Sequence, residues 1–360
     1  MKILQRYVLR ELWLPFMVCL VTLNFIFMGG YLIKAAQFIV GRGVPLWDTV
    51  FVLLLALPAM IGYTVPTSIL TAVLVVFGNL SQNNEIRAIK ASGIHLIPIM
   101  APVFLAGLGI SFMMVVFNDQ LATNADFVLR RTTKQLLIKH PNAMVEPGRF
   151  VKLTDDLVFL AKKLNGKEMK DIVAYENEGS DKPVRTIIAE RGEFVTSADH
   201  SRMTIRLYDG SVSDAENSSV QSIQFKTYEF PTLGQEDVRK MQKKMRDLTL
   251  AELLMRLASP GNSKHDRREI WTAFHQRIAF SFGSFIFVFI GIPIAILVHR
   301  GEIVLSFGIA MAAASIYYIL FVGAKTFSMQ GILPAPISFW IPNVLLFVLG
   351  ARLLKRSLAA

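Results

Sequence analysis

Six histidines, His95, His140, His200, His265, His275 and His299, are dispersed along the 360 residues with no HxxxH spacing. The lone cysteine, Cys19, lies in an apolar run. It can form neither a CxxC pair nor an intramolecular disulfide. A zinc site needs His and Cys ligands at short, fixed spacing, so no metal centre is expected. No GxxxxGK[ST] phosphate loop is present, and the chain should not hydrolyse ATP by itself. No GxSxG nucleophile turn exists either. Gly107-Leu108-Gly109 sits inside an apolar stretch and reads as packing glycine, and the carboxylates Asp155-Asp156 read as a turn. The expectation is a protein with no catalytic residues and no cofactor of its own.

What remains is charge placed where charge is expensive. Lys34 follows 22 uncharged residues and ends Gly29-Gly30-Tyr31-Leu32-Ile33. It either snorkels to an interface or stands at the rim of a cavity, aimed at a lipid phosphate. Arg277, with His275, occupies the equivalent rim before a later apolar run. Between two apolar runs, Asn84-Glu85-Ile86-Arg87-Ala88-Ile89-Lys90-Ala91-Ser92-Gly93 reads as a short amphipathic helix over about 82–92, with glycine as its stop. It is a connector or a docking surface for a cytoplasmic motor. In the second case Ile86 and Ile89, three apart, anchor it to the partner, and Glu85, Arg87 and Ser92 meet polar groups beside them.

The elements that must hold these residues are membrane helices. Windows 12–33, 49–84, 91–118, 278–298, 303–324 and 326–351 contain no Asp, Glu, Lys or Arg. A spanning helix needs about 20 apolar residues, so six spans are expected. The pattern excludes a soluble protein, a disordered chain and an outer-membrane barrel of short alternating strands. The first window is too long for the apolar core of a cleavable leader. Pro58 and Pro66 are expected kinks in the second span, and the sixth is expected to start near Ile337. With the N-terminus inside, nine Lys/Arg (at positions 2, 6, 10, 87, 90, 300, 352, 355 and 356) fall on the cytoplasmic side. Only Lys34, Arg42 and Lys325 fall in short outer loops.

Residues 119–270 differ. They hold 25 of the 38 Lys/Arg and 23 of the 27 Asp/Glu, so the net charge of +11 belongs mostly to membrane flanks. A nucleic-acid partner is therefore not expected. Short alternating runs at 149–153, 158–160, 172–175 and 203–208 read as strands. Thr154-Asp155-Asp156, Asn165-Gly166 and Asp209-Gly210 read as turns between them. This predicts a small sandwich, jelly roll or open barrel. A helix is expected over 236–257, ended by Pro260-Gly261-Asn262, with the basic run Arg239–Lys244 either a solvated helix face or a surface that meets phosphates. The fold class is thus an α-helical integral membrane protein with six spans and an inserted external all-β, jelly-roll-like domain. Its divisions are 1–118, 119–270 and 271–360.

Segment 81–94, Ser81-Gln82-Asn83-Asn84-Glu85-Ile86-Arg87-Ala88-Ile89-Lys90-Ala91-Ser92-Gly93-Ile94, resembles the (S/T)E(I/L)xxxxA(S/C)G coupling-helix motif of the LptF/LptG permeases of lipopolysaccharide export. Asn84 stands where the motif has Ser or Thr. Arg6-Tyr7-Val8-Leu9-Arg10-Glu11 resembles the family's basic start, and Phe274-His275-Gln276-Arg277-Ile278-Ala279 with Gly291-Ile292-Pro293 its fourth-span entry. The layout of three spans, a β domain and three spans is similar throughout. Features of both paralogues are present: the Arg277 context is closer to LptF, and Lys34-Ala35-Ala36-Gln37 to LptG. The resemblance implies an inner-membrane permease subunit with both termini cytoplasmic and the β domain periplasmic. It implies a heterodimer with the paralogous LptF or LptG around a lipopolysaccharide cavity, rimmed by Lys34 and Arg277. It further implies an LptB ATPase dimer that binds the ATP and engages Glu85, Ile86, Arg87, Ile89 and Ser92, and LptC and LptA joined through the β domain.

Two other classes compete with this reading. A non-transporting membrane scaffold whose β domain binds envelope partners needs no rim cation and no motor. An intramembrane transferase would need His, Asp or Glu pairs inside the spans, which the windows lack.

Overall fold

The computed structural model describes residues 2–36, 39, 44–140, 147–152, 157–165, 168–176, 185–196, 202–216, 219–234, 238–298 and 302–359. The chain divides into two compact units. One comprises Met1–Gly29, Leu55–Phe127 and Lys243–Ala360; the other comprises Gly30–Leu54 and Val128–Gln242.

Among the described residues, six helices are long and apolar enough to cross a membrane, as the uncharged windows predict. They are α1 (Lys2–Ala36), α2 (Leu46–Gln82), a run beginning with α4 (Ile97–Val116), α7 (Lys264–Val298), α8 (Ile303–Gln330) and α9 (Ala335–Ala359), with short α3 (Glu85–Ala91) between the second and third. α2 continues unbroken through Pro58 and Pro66. At 37 residues it reaches roughly 55 Å, well beyond a hydrocarbon core of about 30 Å. The sixth helix starts at Ala335, two residues before the expected Ile337, because Gly331 takes the left-handed conformation (φ 76°) that closes α8. The third span does not stop at 118. α4 passes through a π-helical turn, Phe117–Ala122, into α5 (Thr123–Lys139).

Within the first unit, α7 is the helix the others pack around: 67% of its apolar window is buried, against 11% for α1. Small residues let neighbours approach it. A Cβ at Gly107 of α4 would lie 2.9 Å from Val288 Cγ2, and one at Gly291 would lie 2.8 Å from Leu70 Cδ1 of α2. Two buried polar side chains are paired across helices, which suits an apolar surrounding. The Tyr317 hydroxyl of α8 donates to Asn343 Oδ1 of α9 (3.0 Å), and Asn343 Nδ2 donates to the Ala279 carbonyl of α7 (2.9 Å).

In the second unit the described strands form one antiparallel sheet in consecutive order: β1 (Val151–Lys152), β2 (Leu157–Asn165), β3 (Glu168–Glu176), β4 (Arg185–Thr196), β5 (Arg202–Glu216) and β6 (Ser219–Gly234). The inserted all-β domain is therefore present, with the connectivity of a meander. Asp209-Gly210 is not a turn but lies inside β5, with Asp209 at φ 52°. The pairing skips one residue at the same level of five strands: Lys162, Asp171, Glu190, Asp209 and Lys226. Inward alternation shifts by one across this level, from Phe159 and Ala161 to Leu164 on β2 and from Ile187 and Ala189 to Gly192 and Phe194 on β4. The register stays in step on either side, so this level is a crease across the sheet. Apolar side chains from both sides of the crease share one core, including Phe159, Ile172, Ile187, Ile205 and Phe230. The turn signals at 154–156 and Gly166, and the sequon residues Asn217 and Ser218, lie outside the described residues.

The expected helix over 236–257 is shorter. Residues 241–244 are not helical, and α6 (Leu250–Ala258) begins behind a capping box in which Thr249 Oγ1 accepts from Glu252 N and Glu252 Oε2 accepts from Thr249 N (2.7 Å). These bonds satisfy donors that the first turn leaves open, which fixes the start at Thr249. The Glu252 carboxyl is held below its ordinary range, chiefly by the hydrogen bond from the Lys243 ammonium (2.8 Å). That lysine belongs to the basic run expected as a solvated helix face or a surface that meets phosphates.

Candidate functional site

One end of the first unit holds an open cavity of about 730 Å³. Tyr63 of α2, Phe280 of α7 and Tyr318 and Phe321 of α8 line it with aromatic surface. The rings are locked by their own bonds: Tyr318 donates to the Tyr63 carbonyl (2.6 Å), its oxygen lies 3.0 Å from Thr67 Oγ1, and Phe280 packs between Tyr318 and Phe321. Charged groups complete the wall: Lys244, Arg246, Arg277 and Lys325, with Asp126 and Glu269 opposing them. Aromatic surface beside a positive excess suits an amphiphile with an anionic head.

Arg277 precedes an apolar window and is not a free cation. Its Nη1 lies 2.5 Å from Asp119 Oδ1, and the two side chains are only 9% and 15% exposed. The same carboxylate oxygen accepts the Leu250 backbone N–H of α6 (2.6 Å), while Arg277 Nη2 donates to the Arg246 carbonyl (3.2 Å). The π-helical turn makes this possible, because it redirects the segment carrying Asp119 without ending the helix. Its Asn118 Nδ2 donates to Ser281 Oγ (3.0 Å), fastening the turn to α7. Arg277 thus holds a clasp between the third span, α7 and the segment returning from the β domain.

The sequence marks Lys325 only as an outer-loop charge. It is exposed, lines the cavity, and has no hydrogen bond or ion pair among the described residues. The signal was present: it is the one charged residue separating windows 303–324 and 326–351. Asp119 was likewise legible only as the end of a window. Lys34 lies in α1, but its side chain is outside the described residues.

The segment expected as an 82–92 helix is a shorter one. Asn84 adopts the left-handed conformation (φ 58°), separating α2 from the seven residues of α3. Ile86 is 5% exposed and belongs to the core of its own bundle, with Ile89 packed against that core. At three residues apart, both turn to that same inner side. The outward face is Arg87, Ala88, Ala91 and Ser92, flanked by half-buried Glu85. Arg87 Nη1 donates to Asn84 Oδ1 (3.1 Å), and Ser92 Oγ donates to the Ala88 carbonyl (2.9 Å). Lys90 Nζ donates to the Ser357 carbonyl near the end of α9 (3.0 Å). This ties α3 to the sixth span.

A family profile described as "Lipopolysaccharide export system permease LptF/LptG" matches residues 6–356. The chain belongs to the LptF/LptG family. An uncharacterized protein of Rickettsia prowazekii (strain Madrid E) is 24% identical over 143 residues, which is 39% of this chain and 40% of that protein. The chain thus spans about two-fifths of the length of the curated relative it matches.

As an LptF/LptG-family protein, this chain is a membrane protein of the permease type, with six apolar helices and an inserted β sheet. Among the described residues no group of three or more His, Cys, Asp or Glu is placed to hold a metal ion. The family match spans α3, the Asp119–Arg277 clasp and Lys325 alike.

Proposed function

We propose that this LptF/LptG-family chain is one of two paralogous membrane subunits that lift lipopolysaccharide out of the inner membrane. The observation that carries the proposal is the cavity, which combines an aromatic wall with the unpaired ammonium of Lys325 at the end of the apolar helices. Acyl chains suit the aromatic and lipid-facing surfaces, and lipid phosphates suit Lys325 as a point charge. Arg277, held by Asp119, contributes field at the same wall and shapes the rim. The subunit carries no cofactor in this reading. ATP is bound and hydrolysed by an LptB dimer seated on the outward face of α3, with both termini on that cytoplasmic side. The β domain is periplasmic. β6 is hydrogen-bonded along one edge, to β5, among the described residues, and its other edge is available to extend into the sheets of LptC and LptA.

The test is purification of the chain with its partners intact, followed by mass spectrometry of co-eluting lipid and protein. Wild type should carry lipopolysaccharide and a cytoplasmic ATPase. Hydrogen bonds to charged groups contribute about 1.5–3 kcal/mol, so Lys325→Glu should lower the retained lipid roughly tenfold or more. Lys325→Arg should retain it. Co-elution of envelope proteins alone, with neither lipid nor ATPase, would support the scaffold reading instead.

A further inference from the structure

The short helix α6 has three faces rather than two. At about 100° per residue, Leu250, Leu253 and Leu257 share one sector, and Leu253 is fully buried while the other two are half-buried. Glu252 and Arg256 share a polar sector. Between them lies a third sector of Ala251, Leu254, Met255 and Ala258. It is wholly apolar and exposed, Leu254 at 47% and Met255 at 73%. The first sector is covered by the protein itself, so the question is what covers the third.

The depth of the helix answers it. The backbone N–H of Leu250, the first residue of α6, is fastened to Asp119. Asp119 is the first charge after window 91–118, and its partner Arg277 is the last charge before window 278–298. The pair therefore marks where two membrane helices pass from apolar to polar surroundings. α6 begins at that boundary. On α7, Trp271 is 39% exposed and stacks on His275 just outside the same boundary, the position aromatic side chains take at a bilayer surface. On the third span, Val116 and Leu121 flank Asp119 as exposed apolar side chains, so the lipid-facing surface reaches the level of α6. Arg256, Lys264 and Arg267 are exposed around it, where headgroup phosphates lie.

We propose that α6 is an interfacial helix, with Leu254 and Met255 inserted among lipid acyl chains and Arg256 at the headgroups. A helix so seated fixes the height at which the returning chain meets the bilayer. The capping box and the Asp119 bond hold it rigid for that purpose. The inference needs only the membrane-spanning reading of α4 and α7, not the identity of the transported lipid.

The experiment uses the full chain, with its partner subunits, in lipid nanodiscs containing anionic phospholipid. Single cysteines Met255→Cys and Arg256→Cys are made in a Cys19→Ser background and labelled with a small fluorophore. Quenching by a nitroxide placed high on the lipid acyl chain is compared with quenching by aqueous iodide. Position 255 should be quenched several-fold more by the lipid nitroxide than by iodide, and position 256 the reverse. Equal quenching of both positions by iodide would overturn the proposal. So would a 255 label shielded from both quenchers in the assembled complex but open to iodide in the chain alone, since a protein partner would then cover this face.

Discussion

Asp119→Ala is expected to be the most damaging single substitution outside the apolar core. It strands the Arg277 guanidinium, which is 9% exposed, without its carboxylate partner. Breaking a buried ion pair on one side costs about 3–5 kcal/mol. It also removes the acceptor for the Leu250 N–H, whose loss adds about 1–3 kcal/mol if no water replaces it. The purified complex should lose monodispersity at clearly lower temperature than wild type. The double replacement Asp119→Leu with Arg277→Met should recover a good part of that stability, because apolar groups of similar size tolerate burial. It should not recover lipid retention to the same extent if Arg277 contributes field to the cavity. Wild-type thermal behaviour of Asp119→Ala would mean that the clasp carries no structural weight.

The second large effect concerns α3. Arg87→Glu reverses the one charge on its outward face that points away from the bundle. Arginines at the centre of an interface are among the few residues whose loss costs about 2 kcal/mol or more, so in the proposed complex, with a repulsive charge added, the bound ATPase should fall at least tenfold. The membrane portion should stay folded, because among the described residues Arg87 is bonded only to Asn84 of its own turn. Ile86→Asp is expected to behave differently. Ile86 is in the bundle core, so a carboxylate there costs folding itself, and the protein should be lost before coupling can be measured. Normal ATPase recovery with Arg87→Glu would remove this face from the coupling surface.

The six spans were legible because the bilayer imposes a simple rule: about 20 residues without charge. The strands at 158–160, 172–175 and 203–208 were legible by alternation for the same reason, since one face is buried. What escaped were features decided by tertiary contact. Asp209-Gly210 has turn composition, yet pairing with β4 and β6 on either side of it holds the positive φ inside a strand. The run 239–244 has helix-forming residues, but the cap at Thr249 and the Lys243–Glu252 pair set a later start. Ile86 and Ile89 declared an apolar side of α3, but periodicity cannot say whether that side meets the protein's own core or a partner. The partnership of Arg277 with Asp119 joins residues 158 positions apart. Only the fold brings them together, and among the described residues it leaves Lys325, rather than Arg277, without a hydrogen bond or ion pair in the cavity wall.

The central claim is that this chain moves lipid by work delivered from a separate ATPase. The most direct measurement is ATP-dependent release of lipopolysaccharide from proteoliposomes containing the chain with its paralogue and ATPase, to an added periplasmic acceptor. The account predicts release that requires ATP, falls strongly with Lys325→Glu, and uncouples from hydrolysis or disappears with Arg87→Glu. Release at the wild-type rate in both variants, or equal release with and without ATP, would contradict it.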